Sequence, residues 1–334
     1  MKKISGILVT RLRFMGDIIL STPLLHALRR AFPDACIDYL AEHPFHQVLY
    51  HHPDVDTILS FKRQKGHSVV WPLLKKKYDV AIDLFGNPRS ALLTRLSNAK
   101  IRIGGDFRIR RHFYTDPVKT SGRLNAIQFH LRYLRPLGID PVIVSPFITV
   151  TDIEKEWARK FLCKLGINTE KPLIGIHPGA SWPAKRWLPE RFSRLADSLA
   201  ENHNFEILFT MGPGETELVK SVKKNCRQRT YLTGVLSLRQ LGAVLNALDV
   251  YVSNDCGPLH LAAATSCKTV GIFGPGEPDI WYPYDSAKGH RLVYNRIDCS
   301  HCHQDFCPRM DCMKSITVKQ VEKATLDSLA SEQP

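Results

Sequence analysis

The segment Ser253-Asn-Asp-Cys-Gly-Pro-Leu-His260 carries residue types suited to holding a phosphorylated ligand. An apolar run ends at Ser253, and a small-residue helix is expected over Leu259–Thr265. Pro258 fits a first helical turn, where a missing N–H leaves no intrahelical acceptor unmet. Gly257 lets a ligand approach the backbone closely. The free N–H groups and partial positive charge of a helix start favour a phosphate. Asp255 is placed to hold a hydroxyl, and His260 falls in the first turn. A plain connecting loop is the competing reading.

Four other segments could do chemistry. Arg11-Leu-Arg-Phe-Met-Gly-Asp17 follows an apolar run, and a helix-start carboxylate at Asp17 would be ionised and able to accept a proton. Its commoner role at such a place is an N-cap. His177-Pro-Gly-Ala-Ser-Trp-Pro-Ala-Lys-Arg186 offers the small backbone positions Gly179, Ala180 and Ser181 and the cations Lys185 and Arg186, a pairing suited to a diphosphate. Gly212-Pro-Gly-Glu215 and Gly274-Pro-Gly-Glu277 are glycine turns, and Glu215 is of a type that binds ribose hydroxyls. Cys299, Cys302, Cys307 and Cys312 lie within 14 residues, a candidate structural metal site set against a loop of loosely placed thiols. Neither a Gly-x-Gly-x-x-Gly fingerprint nor a P-loop is present, which disfavours a nicotinamide-dependent oxidoreductase. No His-Glu-x-x-His motif points to a catalytic metal.

Two domains of alternating strands and helices must position these segments. In 334 residues there is too much chain for one ordinary core. Strands are expected at Ile4–Thr10, Ala35–Leu40, Val55–Ser60, Tyr78–Leu84 and Ile101–Ile103. Helices are expected over 17–32, 66–77, 90–97 and 124–137. After a Pro-rich stretch over 138–146 the alternation restarts at Leu173–His177. The class is therefore α/β with parallel sheets. The expected boundaries are a first domain over 1–150, a second over 151–315 and a closing helical segment over 316–334.

Charge is distributed unevenly. Residues 1–150 hold 23 Lys and Arg against 11 Asp and Glu, a net of +12, while the remainder holds 23 against 21, a net of +2. A basic half points to an anionic partner, whether nucleic acid, an acidic membrane surface or a polyanionic substrate. Nucleic acid would require exposed aromatics among the basic residues or a recognised module, and neither is seen. Nine cysteines, an odd number, fit a reducing compartment. The short apolar N-terminal run is cut by Arg11 and Arg13, so export is not expected.

Taken together, Arg13-Phe-Met-Gly-Asp-Ile-Ile-Leu-Ser-Thr-Pro23, His177-Pro-Gly-Ala180 with Lys185-Arg-Trp187, Gly212-Pro-Gly-Glu215 and Ser253-Asn-Asp-Cys-Gly-Pro-Leu-His260 resemble glycosyltransferase family 9. These are the ADP-heptose:lipopolysaccharide heptosyltransferases. The resemblance implies a GT-B fold of two facing Rossmann-like domains, 1–150 for the acceptor and 151–315 for the nucleotide sugar, with the helix closing the chain, Val318–Leu329, packed back on the first domain. It also implies transfer with inversion at the anomeric carbon. It implies no cofactor and no catalytic metal, with ADP-heptose as donor substrate.

By the same resemblance Asp17 looks like the catalytic base. Lys185 looks like the lysine on the donor diphosphate, and Asp255, Cys256, Gly257 and His260 look like the donor-binding turn. Gly179, Ala180, Ser181 and Glu215 complete the expected donor set, and Arg11 and Arg13 are the expected acceptor contacts. Cys256 departs from members that carry Thr there. The expected activity is heptosyltransferase II/III-like, adding heptose to the lipopolysaccharide inner core. It would take place in the cytoplasm, peripheral to the anionic inner membrane surface. The alternatives are a family-9 transferase for another nucleotide sugar and a nucleic-acid-binding protein.

Overall fold

The structure is a computed structural model describing residues 3–62, 70, 73, 75–265 and 267–331. The chain divides into two compact units, Met1–Thr149 and Val150–Pro334.

In the first unit, β1 (Gly6–Thr10), β2 (Cys36–Glu42), β3 (Thr57–Phe61), β4 (Val80–Asp83), β5 (Ile101–Gly105) and β6 (Asp116–Val118) form one sheet. It is parallel throughout, in the order β3-β2-β1-β4-β5-β6. The order reverses between β1 and β4, with Thr10 opposite Asp83. Ligands of open α/β sheets bind outside the carboxyl ends of strands at such a switch point.

The helix expected over 17–32 is two helices, Met15–Leu20 and Thr22–Ala31. Pro23 has no N–H for the carbonyl of Ile19. Instead the Thr22 hydroxyl donates to Ile19 O at 2.8 Å, and the Ser21 hydroxyl donates to Ile18 O at 2.7 Å. Most of the helix expected over 66–77 lies outside the described residues.

In the second unit, β7 (Leu173–His177), β8 (Glu206–Met211), β9 (Tyr231–Val235), β10 (Val250–Asn254), β11 (Lys268–Phe273) and β12 (Arg291–Tyr294) form a second parallel sheet. Its order is β12-β11-β10-β7-β8-β9, so the switch point falls between β7 and β10. Both faces of β7 and β10 are buried, as expected of central parallel strands covered by helices. The edge strands β6 and β12 were not expected from the sequence. β6 is three residues long and contains Pro117, which only an edge position tolerates.

The closing helix, Val318–Leu329, was expected to pack on the first domain. It lies instead on the second unit, against the helix Pro189–His203 and strands β10, β11 and β12. Val321 is fully buried in that core, with Ala324 and Leu329 packed at its margin. This apolar stripe at helical spacing needs an apolar sheet face, which β11 and β12 offer.

Candidate active site

Asp17 occupies the first turn of the helix Met15–Leu20, in the loop leaving β1 at the switch point. One carboxylate oxygen accepts from Phe14 N at 3.2 Å, and the other meets the Arg11 guanidinium. Both side chains are 13% exposed, so the pair is largely shielded but open on one side. Arg11 also donates to Leu84 O at 2.8 Å and lies over the Phe85 ring, 4.9 Å from its centroid. Its guanidinium, expected on the acceptor, faces Asp17 and Leu84 O. Arg13 sits over the Phe14 ring at 5.2 Å and 4.0 Å from Glu42.

The turn that receives Arg11 is built by a residue that sequence reasoning missed. Asp83, fully buried at the end of β4, accepts from Phe85 N and Gly86 N, both at 2.9 Å. Its second oxygen accepts from Ser90 Oγ at 2.8 Å and Tyr114 OH at 2.7 Å. Burial pushes its pKa up, and these donors pull against that shift. Only tertiary proximity identifies it, since Tyr114 lies 31 residues away.

In the second unit the loops leaving β7, β8, β10 and β11 converge. Lys185 Nζ stands 2.6 Å from Asp255 Oδ2 and 4.7 Å from the Trp182 ring centroid. Asp255 is buried, and its carboxylate, expected on a hydroxyl, is turned to the lysine. Cys256 is the N-cap position of the helix Gly257–Ala263, with Pro258 in its first turn. The Cys256 Sγ lies 3.2 Å from Ser253 Oγ, and burial pushes the thiol up to about 12, so it is a neutral packing group. His260 is buried, its Nδ1 2.7 Å from Tyr284 OH.

The glycines explain the close packing. A Cβ on Gly179 would run into the Glu215 carboxylate, and one on Gly276 would run into Asp255 with Lys185 nearby. Glu215 accepts from Gly212 N at 2.6 Å and lies 3.4 Å from His177 Nε2. Burial lowers the pKa of His177 while the Glu215 charge opposes that shift. Behind them Thr210 joins His177 Nδ1 at 3.0 Å and Tyr251 OH at 2.7 Å. Asn254, also missed, cross-ties the loops: its amide donates to Pro178 O and Gly179 O, and its oxygen accepts from Trp187 N. Ala180 is buried, its carbonyl accepting from Arg186 Nε at 2.9 Å, whereas Ser181 is exposed.

The four thiols are near one another, with Cys299, Cys302 and Cys307 all raising the pKa of Cys312 after its burial. Cys299 and Cys302 are exposed, while Cys312 is drawn into the core beside Met313. Among the described residues no group of three or more His, Cys, Asp or Glu is placed to hold a metal ion. The segment braces the lysine loop instead. Ala184 N donates to Asp305 O at 3.0 Å, and His303 Nε2 lies 2.7 Å from Glu277.

Residues 67–312 match the family described as glycosyltransferase family 9 (heptosyltransferase). The chain belongs to that family. It is a glycosyltransferase of α/β architecture with the GT-B fold. It is 27% identical over 293 residues to lipopolysaccharide heptosyltransferase 3 of Escherichia coli, covering 82% of this chain and 85% of that protein. A family 9 glycosyl transferase structure from Veillonella parvula superposes with a TM-score of 0.87 at 25% identity, covering 99% of each chain. The structure of E. coli ADP-heptose lipopolysaccharide heptosyltransferase II shares the fold, with a TM-score of 0.82 at 22% identity over 97% of this chain and 98% of that one. The family match begins after Asp17, so the carboxylate's role rests on its position in the fold and on the sequence resemblance.

Proposed function

We propose that this family 9 transferase moves heptose from ADP-heptose to a hydroxyl of the lipopolysaccharide inner core, in the manner of its heptosyltransferase 2 and 3 relatives. The observation that carries the reading is Lys185, fixed at the start of the helix Gly257–Ala263 among loops lacking side chains at Gly179 and Gly276. A cation beside a helix start suits a diphosphate. The surrounding Gly179, Ala180, Ser181, Glu215, Asp255, Cys256, Gly257 and His260 form the donor set.

In the first unit Asp17 is the general base. Its carboxylate takes the proton of the acceptor hydroxyl as that oxygen attacks the anomeric carbon from the face opposite the diphosphate. The bond from the anomeric carbon to the phosphate oxygen breaks, ADP leaves with the bonding electrons, and the anomeric configuration inverts. Lys185 and the helix-start amides offset the charge developing on the leaving ADP, so transfer proceeds without a metal ion or other cofactor. Arg11 holds Asp17 in place, and Arg13 contacts the acceptor.

The +12 charge of residues 1–150 supports work on an acidic acceptor at the anionic inner face of the inner membrane. No described helix is long and apolar enough to cross a membrane.

The test is ADP release from ADP-heptose with a purified heptose-terminated core acceptor. Stabilisation against heat by ADP but not UDP supports the donor assignment, whereas turnover with another nucleotide sugar and none with ADP-heptose would overturn it.

A further inference from the structure

Residues 105–113 of the first unit, Gly-Asp-Phe-Arg-Ile-Arg-Arg-His-Phe, follow β5 and present a side chain that the fold does not use. Ile109 is 76% exposed at the tip of this turn. Arg108 and Arg111 beside it are exposed, and Arg111 lies 3.2 Å from Asp106. The turn is firmly rooted. The Phe107 ring lies against Gly86 and Gly105, where any Cβ would collide with it. Arg111 N donates to Phe107 O at 2.9 Å, and Tyr114 N donates to Arg111 O at 3.1 Å. Packed against its second half is the helix Pro88–Leu96. That helix adds exposed Arg89, Leu92 and Arg95, with Leu92 at 49% exposure.

We infer that this surface docks the enzyme on an anionic lipid bilayer, Ile109 and Leu92 entering the headgroup region while the arginines meet lipid phosphates. The inference rests on the proposed membrane-linked acceptor and names the surface that reaches it. An exposed aliphatic side chain ringed by arginines gains little from a sugar chain or a nucleic acid, but it loses water contact on entering a bilayer. Arginine complements the negative surface potential of such a membrane. The position suits the reaction. β5 is two strands from β1, about 10 Å at ordinary strand spacing, and its loop leaves the same sheet edge as the loop bearing Asp17.

The test is sedimentation of the full chain with vesicles of phosphatidylethanolamine and phosphatidylglycerol, 3:1, against vesicles of phosphatidylcholine. The wild type binds the first and not the second at moderate salt. The double variant Arg108→Ser, Arg111→Ser lowers the partition coefficient roughly thirtyfold, and Ile109→Ser lowers it roughly tenfold. Equal binding to both vesicles, or variants that bind as the wild type does, would overturn the inference. A water-soluble, deacylated core acceptor separates the alternatives. Variants that keep their turnover on it support a lipid contact; variants that lose it while still sedimenting place the arginines on the sugar and overturn the inference. Failure of the proposed reaction reads elsewhere, as absence of transfer by a wild type that still binds the anionic vesicles.

Discussion

Lys185 Nζ lies 2.6 Å from Asp255 Oδ2. The two form a largely buried ion pair. With Trp182 on another side, the ammonium is held in place before any donor arrives. Preorganisation of this kind removes an ordering cost from binding.

Replacing the lysine should therefore weaken ADP binding by roughly 10- to 100-fold, the range expected for a charge-assisted contact. Lys185→Ala also leaves Asp255 buried and unpaired, so Asp255→Asn is the companion variant. It keeps the shape but releases the lysine, so ADP should bind more weakly than to the wild type, by less than in Lys185→Ala. Calorimetric titration of both variants checks this; a Lys185→Ala protein with native ADP affinity would remove the diphosphate contact.

Asp17→Ala should lower kcat by roughly 10²- to 10⁴-fold, the usual contribution of a positioned base, with ADP affinity near native. Arg11→Lys should lower it less, because lysine keeps the charge but not the two-pronged hold on Asp17 and Leu84. Rapid-quench measurement of transfer alongside ADP titration separates the two effects. Weakened ADP binding with unchanged turnover in Asp17→Ala would contradict the base assignment.

Gly179→Ala places a methyl group against the Glu215 carboxylate, which is tied to Gly212 N and faces His177. The carboxylate must give way. Donor KM should rise roughly tenfold, a loss comparable to one hydrogen bond to a charged group, with the thermal midpoint little changed. A native donor KM would show that Glu215 takes no part in donor binding.

His130 sets a pH dependence of stability. It is fully buried and its Nδ1 lies 3.2 Å from Leu20 O, so the neutral ring donates there. Burial lowers its pKa to about 4, against an ordinary value of 6.5. Between those values the unfolded chain binds a proton that the folded chain refuses. Stability is therefore intact above pH 6.5 and falls as the pH drops towards 4, by about 3 kcal/mol for this group. His52 and His290, also lowered to about 4 mainly by burial, act in the same direction. His130→Gln should make the curve of urea midpoint against pH shallower between pH 4 and 6.5; an unchanged slope would mean that the ring is hydrated.

The parts of the site that were legible in the sequence lie where one strand, one turn and one helix succeed each other. Asp17 and the 253–260 turn are of this kind, since each depends on neighbours only a few residues away. Asp83 and Asn254 were not legible, because their roles arise from partners brought in by the sheet: Tyr114 and Trp187. Apolar periodicity revealed the central strands. It missed β6 and β12, which are too short to show a period and carry Pro117 and Arg291. It also ran through Ser21, where a proline two residues on breaks the helix. The four thiols are near neighbours as their spacing suggests, since Cys299, Cys302 and Cys307 all act on the buried Cys312.

The seating of the helix Val318–Leu329 bears on how the second unit would survive a chain break. Trp187 Nε1 donates to Ile316 O at 3.0 Å, and Val321 is sealed into the core beneath. The preceding stretch is open to a protease, with Phe306 at 68% exposure. A cut there would leave two pieces gripping each other through buried surface, so the nicked protein would run as a single particle on a sizing column and separate only in denaturant.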